Sequence, residues 1–419
     1  MGLLSSIVYR PLSSVVHDSM TYTPVLSYIA AFWPKIIRSN PADSGTLIGL
    51  PRPYLVPAEP VGNAMFQEMY YWDSFFMALG LAGTPHEQVI VDMAENMAAL
   101  LERFGLIPNA SRFYFLSRSQ PPFFTQLVRL ACAVKQRRGD GDLPAFTARM
   151  AALAEQEHRT VWSGTAQPHH RLVYRGLSRY FDINYLDILA GCESGWDHST
   201  RCCNQRGEDR WLDHLPVDLN SILYVYEQDL AVLAGETGRP AAMAGWFEAA
   251  RRRAETIHDL MWDAEQGFFF DFDYRHERRN PEPSLAGFYP LWAGLATPEQ
   301  ATQAVHAWLP RFEKRGGLVT TLRQRAGRQW AWPNGWAPLQ WLVVAGLERY
   351  GFRDDARRIM RKWCDNCATV FAATGVLWEK YHVVRVGARA EAGLYGSVPG
   401  FGWSNAVFAD FARRLAEQQ

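Results

Sequence analysis

Two carboxylates and a tryptophan occur together in the segment Glu193–Arg201, which reads Glu-Ser-Gly-Trp-Asp-His-Ser-Thr-Arg. Acid catalysis on a sugar needs a carboxylic acid that protonates the leaving oxygen, a second carboxylate across the ring, and aromatic surfaces that pack on the sugar. Asp197 could supply the acid, and the second carboxylate could come from Glu379, far downstream in Trp-Glu-Lys-Tyr. Because a Trp-Asp pair is also common at core edges, the segment indicates glycosidase chemistry only together with the rest of the chain.

The composition narrows the class of protein. The chain has 419 residues, with 43 basic and 43 acidic side chains, and its length suits one large or two ordinary domains. Balanced charge gives no field that would attract nucleic acid or an anionic membrane, so we expect neither as a partner. The 16 Trp, 17 Tyr and 23 Phe concentrate beside Gly, Pro, Asp and Asn, as in carbohydrate-binding clefts. We expect a small carbohydrate as partner and a monomer or homodimer.

The N-terminal residues and the cysteines can indicate the cellular compartment of the protein. The apolar stretch Gly2–Val8 is followed by no small-residue cleavage pattern, and no apolar run reaches membrane-spanning length. Six cysteines are too few and too clustered for a disulfide framework in a chain this long. We therefore predict a cytoplasmic protein. Cys364 and Cys367 have CxxC spacing inside a helical pattern without a second Cys or His pair nearby, so we interpret them as buried small residues and predict no metal and no cofactor.

The chain is helical nearly throughout. Thr84–Glu87 reads as a capping box with proline at the first helical position, and apolar residues then recur every three or four positions until Gly105. Similar patterns predict helices at Asp218–Gly235, from Thr297, at Leu339–Tyr350 and at Asp354–Thr374. Strand-like runs are few and short, and the functional-looking residues fall in loops such as Trp330–Pro338 and Gly400–Asn405. The pattern predicts an all-α fold of helical hairpins closed into one toroid.

Several segments together resemble one enzyme family. Leu50–Pro57 and Phe66–Ser74 resemble the first trehalase signature and its leader, and Ile107–Asn109 with Leu116–Phe123 is similar to a second block. The later blocks follow in the family's order: Glu193–Arg201, Pro216–Asn220, Gln329–Trp330 with Pro333–Pro338, Glu379–Tyr381 and Gly400–Trp403. Because the blocks keep their order over most of the chain, the sequence resembles the trehalase-like glycoside hydrolases.

The resemblance implies an (α/α)6 barrel and an inverting mechanism, with Asp197 as general acid and Glu379 as general base. Residues 1–45 would form a helical extension packed on the barrel, and residues 46–419 a single catalytic domain. We expect the apolar flank of Trp196 to raise the pKa of Asp197 by desolvation. Glu379 would stay ionised in wet, polar surroundings beside Lys380, although a surface ion pair is the alternative interpretation of that neighbouring pair.

The resemblance also implies a set of sugar-binding residues. Asp73 could accept two hydroxyl hydrogen bonds, and Trp72 or Trp336 could stack on a pyranose face; helix capping and core packing are the alternatives. The matched positions are Phe66, Trp72, Asp73, Asn109, Arg118, Gln120, Glu193, Gly195, Trp330, Asn334, Trp336 and Trp403.

The chain also departs from the family's pattern. Met65 stands where the family usually has arginine, Ala331 where it has aspartate, and Leu394 where it has glutamate. The Arg-Pro-Glu segment that clamps the second glucose in trehalases has no clear equivalent around Arg175–Arg179. Each charged hydrogen bond lost in this way costs about 1.5–3 kcal/mol if nothing replaces it.

These departures leave three hypotheses open. The protein could be a divergent trehalase whose missing groups come from Arg175, Arg179 or Arg201. It could instead hydrolyse another small α-glycoside, such as a glucosylglycerate-type compatible solute, because the departures fall where contacts to the leaving group are expected. The third hypothesis is a catalytically silent sugar-binding protein on the same toroid.

Overall fold

The computed structural model describes residues 22–60, 65–165, 167, 169–393 and 395–417. Helices dominate these residues. In chain order they are α1 Thr23–Ile36, α2 Tyr71–Leu81, α3 Gln88–Phe104, α4 Phe124–Arg138, α5 Leu143–Glu157, α6 Asp187–Glu193, α7 Val217–Glu236, α8 Pro240–Met261, α9 Tyr289–Ala293, α10 Pro298–Phe312, α11 Ala337–Arg349, α12 Arg353–Thr374 and α13 Gly402–Glu417.

The helices of the described residues form two concentric layers. In the inner layer α2, α4, α7, α9, α11 and α13 each contact the next, and α13 closes the ring on α2. Helices α1, α3, α5, α8, α10 and α12 form the outer layer, while the short α6 belongs to a loop at one end. This arrangement is the (α/α)6 barrel that the family resemblance implied, so the predicted fold class is confirmed.

Helix polarity explains which layer each helix joins. Every residue of α2 except Gly80 is buried, and a helix that is apolar on all sides must lie inside. In α8 the buried residues Trp246, Ala250, Arg253 and Ile257 recur at three- and four-residue spacing, so only one face is covered. The hydrophobic pattern therefore assigns α2 to the inner layer and α8 to the outer one.

Local sequence signals predicted some helix ends correctly and one helix start wrongly. The capping box predicted at Thr297 is present, since its hydroxyl accepts from Gln300 N and the Gln300 side chain accepts from Thr297 N. Gly105 ends α3 at φ 75°, as predicted. The capping box predicted at Thr84 is wrong, because the Thr84 hydroxyl donates to the carbonyl of Leu81 in a turn and α3 begins only at Gln88.

The strands are short, as the sequence predicted, and they connect the loops. They are β1 Ile37–Arg38, β2 Tyr54–Leu55, β3 Leu172–Tyr174, β4 Leu177–Ser178, β5 His214–Leu215, β6 Trp262–Asp263, β7 Phe268–Phe269, β8 Phe272–Asp273, β9 Arg278–Arg279, β10 Glu313–Lys314, β11 Gly317–Leu318, β12 Asn334–Trp336 and β13 Lys380–His382. The antiparallel pair β12–β13 sets Trp336 opposite Lys380. It therefore joins two sequence blocks that lie more than forty residues apart.

The N-terminal helix α1 buries Val25, Ile29, Phe32, Trp33 and Ile36 and packs against α13. Residues 1–21 of the predicted extension lie outside the described residues, and the division at residue 45 stays a prediction.

Among the described helices, none combines the length and apolar character needed to cross a membrane. Both cysteines of the CxxC pair are buried in α12, which confirms their interpretation as core residues.

Candidate active site

The loop that follows α6 carries Asp197, and a glycine shapes it. Gly195 has φ 72°, a conformation that side chains with a Cβ disfavour, and an added Cβ would lie 2.7 Å from the ring of Trp72. Two residues beyond Asp197, the hydroxyl of Ser199 donates to the carbonyl of Trp330 at 2.8 Å. The loop is therefore fixed against α2 on one side and against the Trp330 segment on the other.

A buried ion triad of Arg201, Asp218 and Asp271 holds the same loop. Arg201 has no exposed surface, and its guanidinium donates to Asp218 at 2.8 Å and to Asp271 at 2.7 Å. The same guanidinium lies 4.8 Å from the ring centroid of Trp196. Buried charges are tolerated only when they are paired and hydrogen-bonded, as they are here. Arg201 thus ties the end of this loop to Asp218 and Asp271 and packs on Trp196, the residue before Asp197.

Burial raises the pKa of Asp197 to about 7. The positive charge of Arg118 lowers this pKa and the negative charge of Glu379 raises it, but both effects are smaller than desolvation. The direction agrees with the prediction made from the apolar flank of the residue. A carboxyl group with this pKa carries its proton near neutrality, as a general acid must.

Glu379 is buried, with 1% of its surface exposed, so neither the expected wet pocket nor a surface ion pair describes it. Its Oε2 lies 2.7 Å from Nζ of Lys380, and its Oε1 accepts a 2.8 Å hydrogen bond from the hydroxyl of Tyr395. Desolvation raises the pKa of Glu379, while Lys380 and Tyr395 act in the opposite direction. The ionised form is therefore supported by an ammonium and a phenol instead of by solvent.

A third carboxyl group, Asp73 on α2, belongs to the same cluster. Burial raises the pKa of Asp73 well above its ordinary value, and the charges of Glu379 and Asp197 raise it further. This mutual influence means that side chains from α2, the α6 loop and the residue before β13 converge on one site. Asp73 lies 124 residues before Asp197 and 306 residues before Glu379 in the sequence, so only the family's motif order indicated that the three would be close together.

Five tryptophans form the floor of the site. Trp330 and Trp336 stack in parallel with ring centroids 3.7 Å apart, and Trp403 donates its indole N–H to the carbonyl of Glu379 at 2.8 Å. The Lys380 ammonium lies 5.0 Å from the ring centroid of Trp336, and this ring has no exposed surface on which a sugar could stack. The floor consists of Trp72, Trp196, Trp330, Trp336 and Trp403, all at most 4% exposed.

Three polar residues of the second block were predicted to bind sugar, and Arg118 lies close enough to Asp197 to lower its pKa. Nη1 of Arg118 donates to Asp182 at 3.1 Å, while its buried Nε has no protein partner. Gln120 accepts from the backbone N–H of Trp72 at 3.1 Å, which ties this loop to α2. Asn109 makes longer contacts, of 3.3 and 3.4 Å, to two backbone carbonyls.

Three other predicted residues have mainly structural contacts. Phe66, at φ 59°, packs edge-on against Tyr395 with centroids 5.7 Å apart. Glu193 accepts from the backbone N–H groups of Ser119 and Phe181 at 2.7 and 2.6 Å and pairs with Arg171. Asn334 joins the backbones of Gln329 and Glu391 by hydrogen bonds of 2.9 to 3.1 Å. The sugar-binding roles of these residues stay predictions.

The positions that depart from the family differ in how far they are buried. Met65 is 39% exposed, Ala331 is fully buried, and Leu394 lies outside the described residues. The three arginines considered as replacements are engaged elsewhere: Arg175 pairs with Asp259, Arg179 donates to the carbonyls of residues 169, 170 and 212, and Arg201 belongs to the buried triad.

Sequence reasoning missed two residues, Tyr395, which donates to Glu379, and Gln329, which lies close to Tyr395. Tyr395 follows Leu394 directly, in a stretch where only the missing glutamate was noticed. Gln329 precedes Trp330 in a quoted block but was not chosen as a site residue, and its buried side-chain amide has no hydrogen-bond partner. An unpartnered buried amide is the signal that could single it out, and only the structure provides it.

Comparisons with known proteins agree with this geometry. The model of the Trehalase family matches residues 14–182 and 177–416. The chain belongs to the trehalase family. It is therefore a glycoside hydrolase, as predicted. A periplasmic trehalase of Pseudomonas aeruginosa is 34% identical, with 92% of this chain and 76% of that protein covered. A periplasmic trehalase of Escherichia coli is 33% identical, with 91% and 72% covered.

Solved structures extend the comparison. A neutral trehalase from Saccharomyces cerevisiae superposes with a TM-score of 0.75 at 30% identity, covering 94% of this chain and 82% of that one. A mannosylglycerate hydrolase from Thermus thermophilus has a TM-score of 0.67 at 20% identity, covers 93% of this chain and 99% of that one, and shares the fold. Both comparisons agree with the barrel of this trehalase-family chain.

The cytoplasmic prediction is contradicted. Trehalase-family relatives from Pseudomonas, Xanthomonas and Escherichia are named periplasmic trehalases. The small number of cysteines did not indicate the compartment, because a chain of this size buries enough apolar surface to be stable without disulfides in any compartment.

Proposed function

We propose that the protein hydrolyses the α-glucosidic bond of a small α-glucoside, trehalose or a trehalose-like compound, with inversion at the anomeric carbon. One observation carries this proposal: Asp197 and Glu379 lie in one buried site where burial raises the pKa of both, but only Glu379 accepts hydrogen bonds from an ammonium and a phenol, which support its ionised form. Two carboxyl groups with divided protonation are what an inverting glycosidase requires.

In the proposed reaction Asp197 gives its proton to the glycosidic oxygen while the bond from that oxygen to C1 breaks. Water attacks C1 from the opposite face, and Glu379 accepts a proton from that water. Asp197 ends ionised and Glu379 protonated, and exchange with solvent restores both. Asp73, Arg118 and Gln120 are the residues we propose for sugar hydroxyls, since Asp73 faces the carboxyl cluster and the Nε of Arg118 has no protein partner.

Trehalose is the first substrate to test, because the curated relatives with a third of their residues identical are named trehalases. A second candidate is another small α-glucoside with a different leaving group. The contacts of Arg179 and Arg201 favour it, since both are buried and bound to other partners and so do not replace the missing charged contacts. A silent sugar-binding protein is the third candidate, and activity on any α-glucoside excludes it.

Time-resolved proton NMR tests the proposal. Purified protein is mixed with α,α-trehalose, glucosylglycerate and simple α-glucosides in separate samples, and the anomeric protons of released glucose are followed. Inversion of trehalose gives equal initial amounts of α- and β-glucose, whereas retention gives only α-glucose. Release from another α-glucoside alone would support a changed leaving-group site, and no release from any substrate would contradict the proposal.

A further inference from the structure

The hydroxyl of Tyr395 is held in a fixed position beside Glu379. It donates to Oε1 of Glu379 at 2.8 Å, and the phenol ring packs between Phe66, at 5.7 Å, and the Lys380 ammonium, at 4.7 Å. The Trp403 indole holds the backbone of Glu379 at the same time. Contacts on the ring and on the backbone therefore leave this hydrogen bond little freedom.

The two oxygens of Glu379 have different partners. Oε2 contacts the Lys380 ammonium at 2.7 Å, and Oε1 accepts from Tyr395. A carboxylate oxygen can accept two hydrogen bonds, so Oε1 retains one acceptor position. From that position, which lies beside the Tyr395 hydroxyl, Glu379 can accept a proton from water without losing its contact to Lys380.

Gln329 lies close to the Tyr395 hydroxyl. Its side chain has no exposed surface and lies close enough to that hydroxyl to lower the pKa of Tyr395, yet neither its amide nitrogen nor its amide oxygen has a hydrogen-bond partner within 3.5 Å. Its backbone carbonyl is already occupied by Asn334 and Trp336. Gly393 leaves the space that the Gln329 side chain needs, because an added Cβ there would lie 2.5 Å from Cβ of Gln329. A buried amide without a hydrogen-bond partner indicates a site for a small polar ligand such as water.

We propose that Gln329 and Tyr395 hold the attacking water against Glu379, with the amide of Gln329 as its direct partner and Tyr395 as a positioning residue. This inference rests on the proposed function. Water can donate one hydrogen to Oε1 of Glu379 and the other to the amide oxygen of Gln329, which leaves an oxygen lone pair for attack on C1. Tyr395 keeps its own proton throughout, because burial and the negative charge of Glu379 raise its pKa far above the ordinary value.

The first test measures the titration of Glu379 directly, without substrate. In protein labelled with ¹³C at glutamate side-chain carboxyls, the Glu379 signal is assigned by its loss in Glu379→Gln. Lys380, Tyr395, Asp73 and Asp197 are the charged or titratable groups that influence Glu379. Tyr395→Phe removes a hydrogen bond to the ionised form, so the midpoint should move to higher pH.

Tyr174→Phe is the matched control, since Tyr174 also donates to a glutamate, Glu277, at 2.8 Å on the exposed surface. It should leave the Glu379 midpoint unchanged. An unchanged midpoint in Tyr395→Phe overturns the positioning role whether or not the protein hydrolyses sugars. A shifted midpoint in a protein without activity on any α-glucoside contradicts the proposed function alone.

The second test separates the role of Gln329 in catalysis from a role in folding. Because the amide has no protein partner, Gln329→Met should retain the melting temperature of the wild type. If the amide binds the water, kcat should fall at least tenfold with KM little changed, and Tyr395→Phe should show a similar loss with its acidic limb moved to higher pH. Wild-type kcat in Gln329→Met would overturn the assignment of the water site.

Discussion

The ammonium of Lys380 contacts the carboxylate of the residue that precedes it, with Nζ 2.7 Å from Oε2 of Glu379. Both side chains are at most 1% exposed. Neighbouring residues in a strand point to opposite faces, but Glu379 lies just before β13, where the backbone need not alternate. The contact places a positive charge beside the proposed base.

This contact predicts how Lys380→Met changes the pH profile. The charge of Lys380 lowers the pKa of Glu379, and Glu379 must be ionised to act as base. Without that charge the pKa rises, so the acidic limb of kcat against pH should move to higher pH. Lys362→Met, which breaks a partly exposed contact of 2.6 Å to Glu313, is the matched control and should leave the profile in place. An unmoved acidic limb in Lys380→Met would argue against Glu379 as the base.

Isosteric variants of the acid and the base should differ in their response to the leaving group. Asp197→Asn and Glu379→Gln should each lower kcat on the natural substrate by about two to four decades. α-Glucosyl fluoride needs no protonation to leave, so Asp197→Asn should recover most of its rate on it, whereas Glu379→Gln should not. Steady-state kinetics on both substrates measure the contrast. Equal losses on the fluoride would contradict the division of roles.

The buried carboxyl group of Asp197 should lower the free energy of unfolding at neutral and alkaline pH. Its folded-state pKa of about 7 lies above the ordinary value of 3.8, so the folded protein binds more protons between these values and loses stability as pH rises. Asp197→Asn should therefore raise the free energy of unfolding at pH 8 by roughly 1–4 kcal/mol, and the gain should shrink toward pH 4.

Urea denaturation across this pH range measures the gain. Asp142→Asn is the control with the opposite sign, because the hydrogen bond from Lys135 lowers the pKa of Asp142 and its removal should not stabilise the protein. A pH-independent difference between wild type and Asp197→Asn would show that the carboxyl group is not titrating in the folded state as inferred.

Gly195→Ala should disturb the loop of Asp197 through one steric contact. Gly139 has the same φ of 72° and nothing within 4 Å of an added Cβ, while the Cβ at Gly195 would lie 2.7 Å from the ring of Trp72. Gly139→Ala should therefore cost about 1–2 kcal/mol from backbone strain alone. Gly195→Ala should cost more than that and should also lower kcat, as measured by urea denaturation and steady-state kinetics. Equal effects of both variants would exclude a role for the Trp72 contact.

Local patterns in the sequence determined a large part of the fold. Three- and four-residue spacing of apolar residues gave α7, α11 and α12 nearly to their ends, because the pattern of a helix is fixed by its own geometry. The ordered blocks indicated the family and the two candidate carboxyl groups.

Only the tertiary structure decided what surrounds those groups. It brought Asp73, Asp197 and Glu379 together, gave Glu379 an ammonium and a phenol instead of solvent, occupied Glu193 with backbone contacts, and left the amide of Gln329 unpartnered. These relationships join segments separated by up to three hundred residues, so no local spacing encodes them. Burial and electrostatic coupling depend on every element packed around a side chain, and they appear only once the barrel has closed.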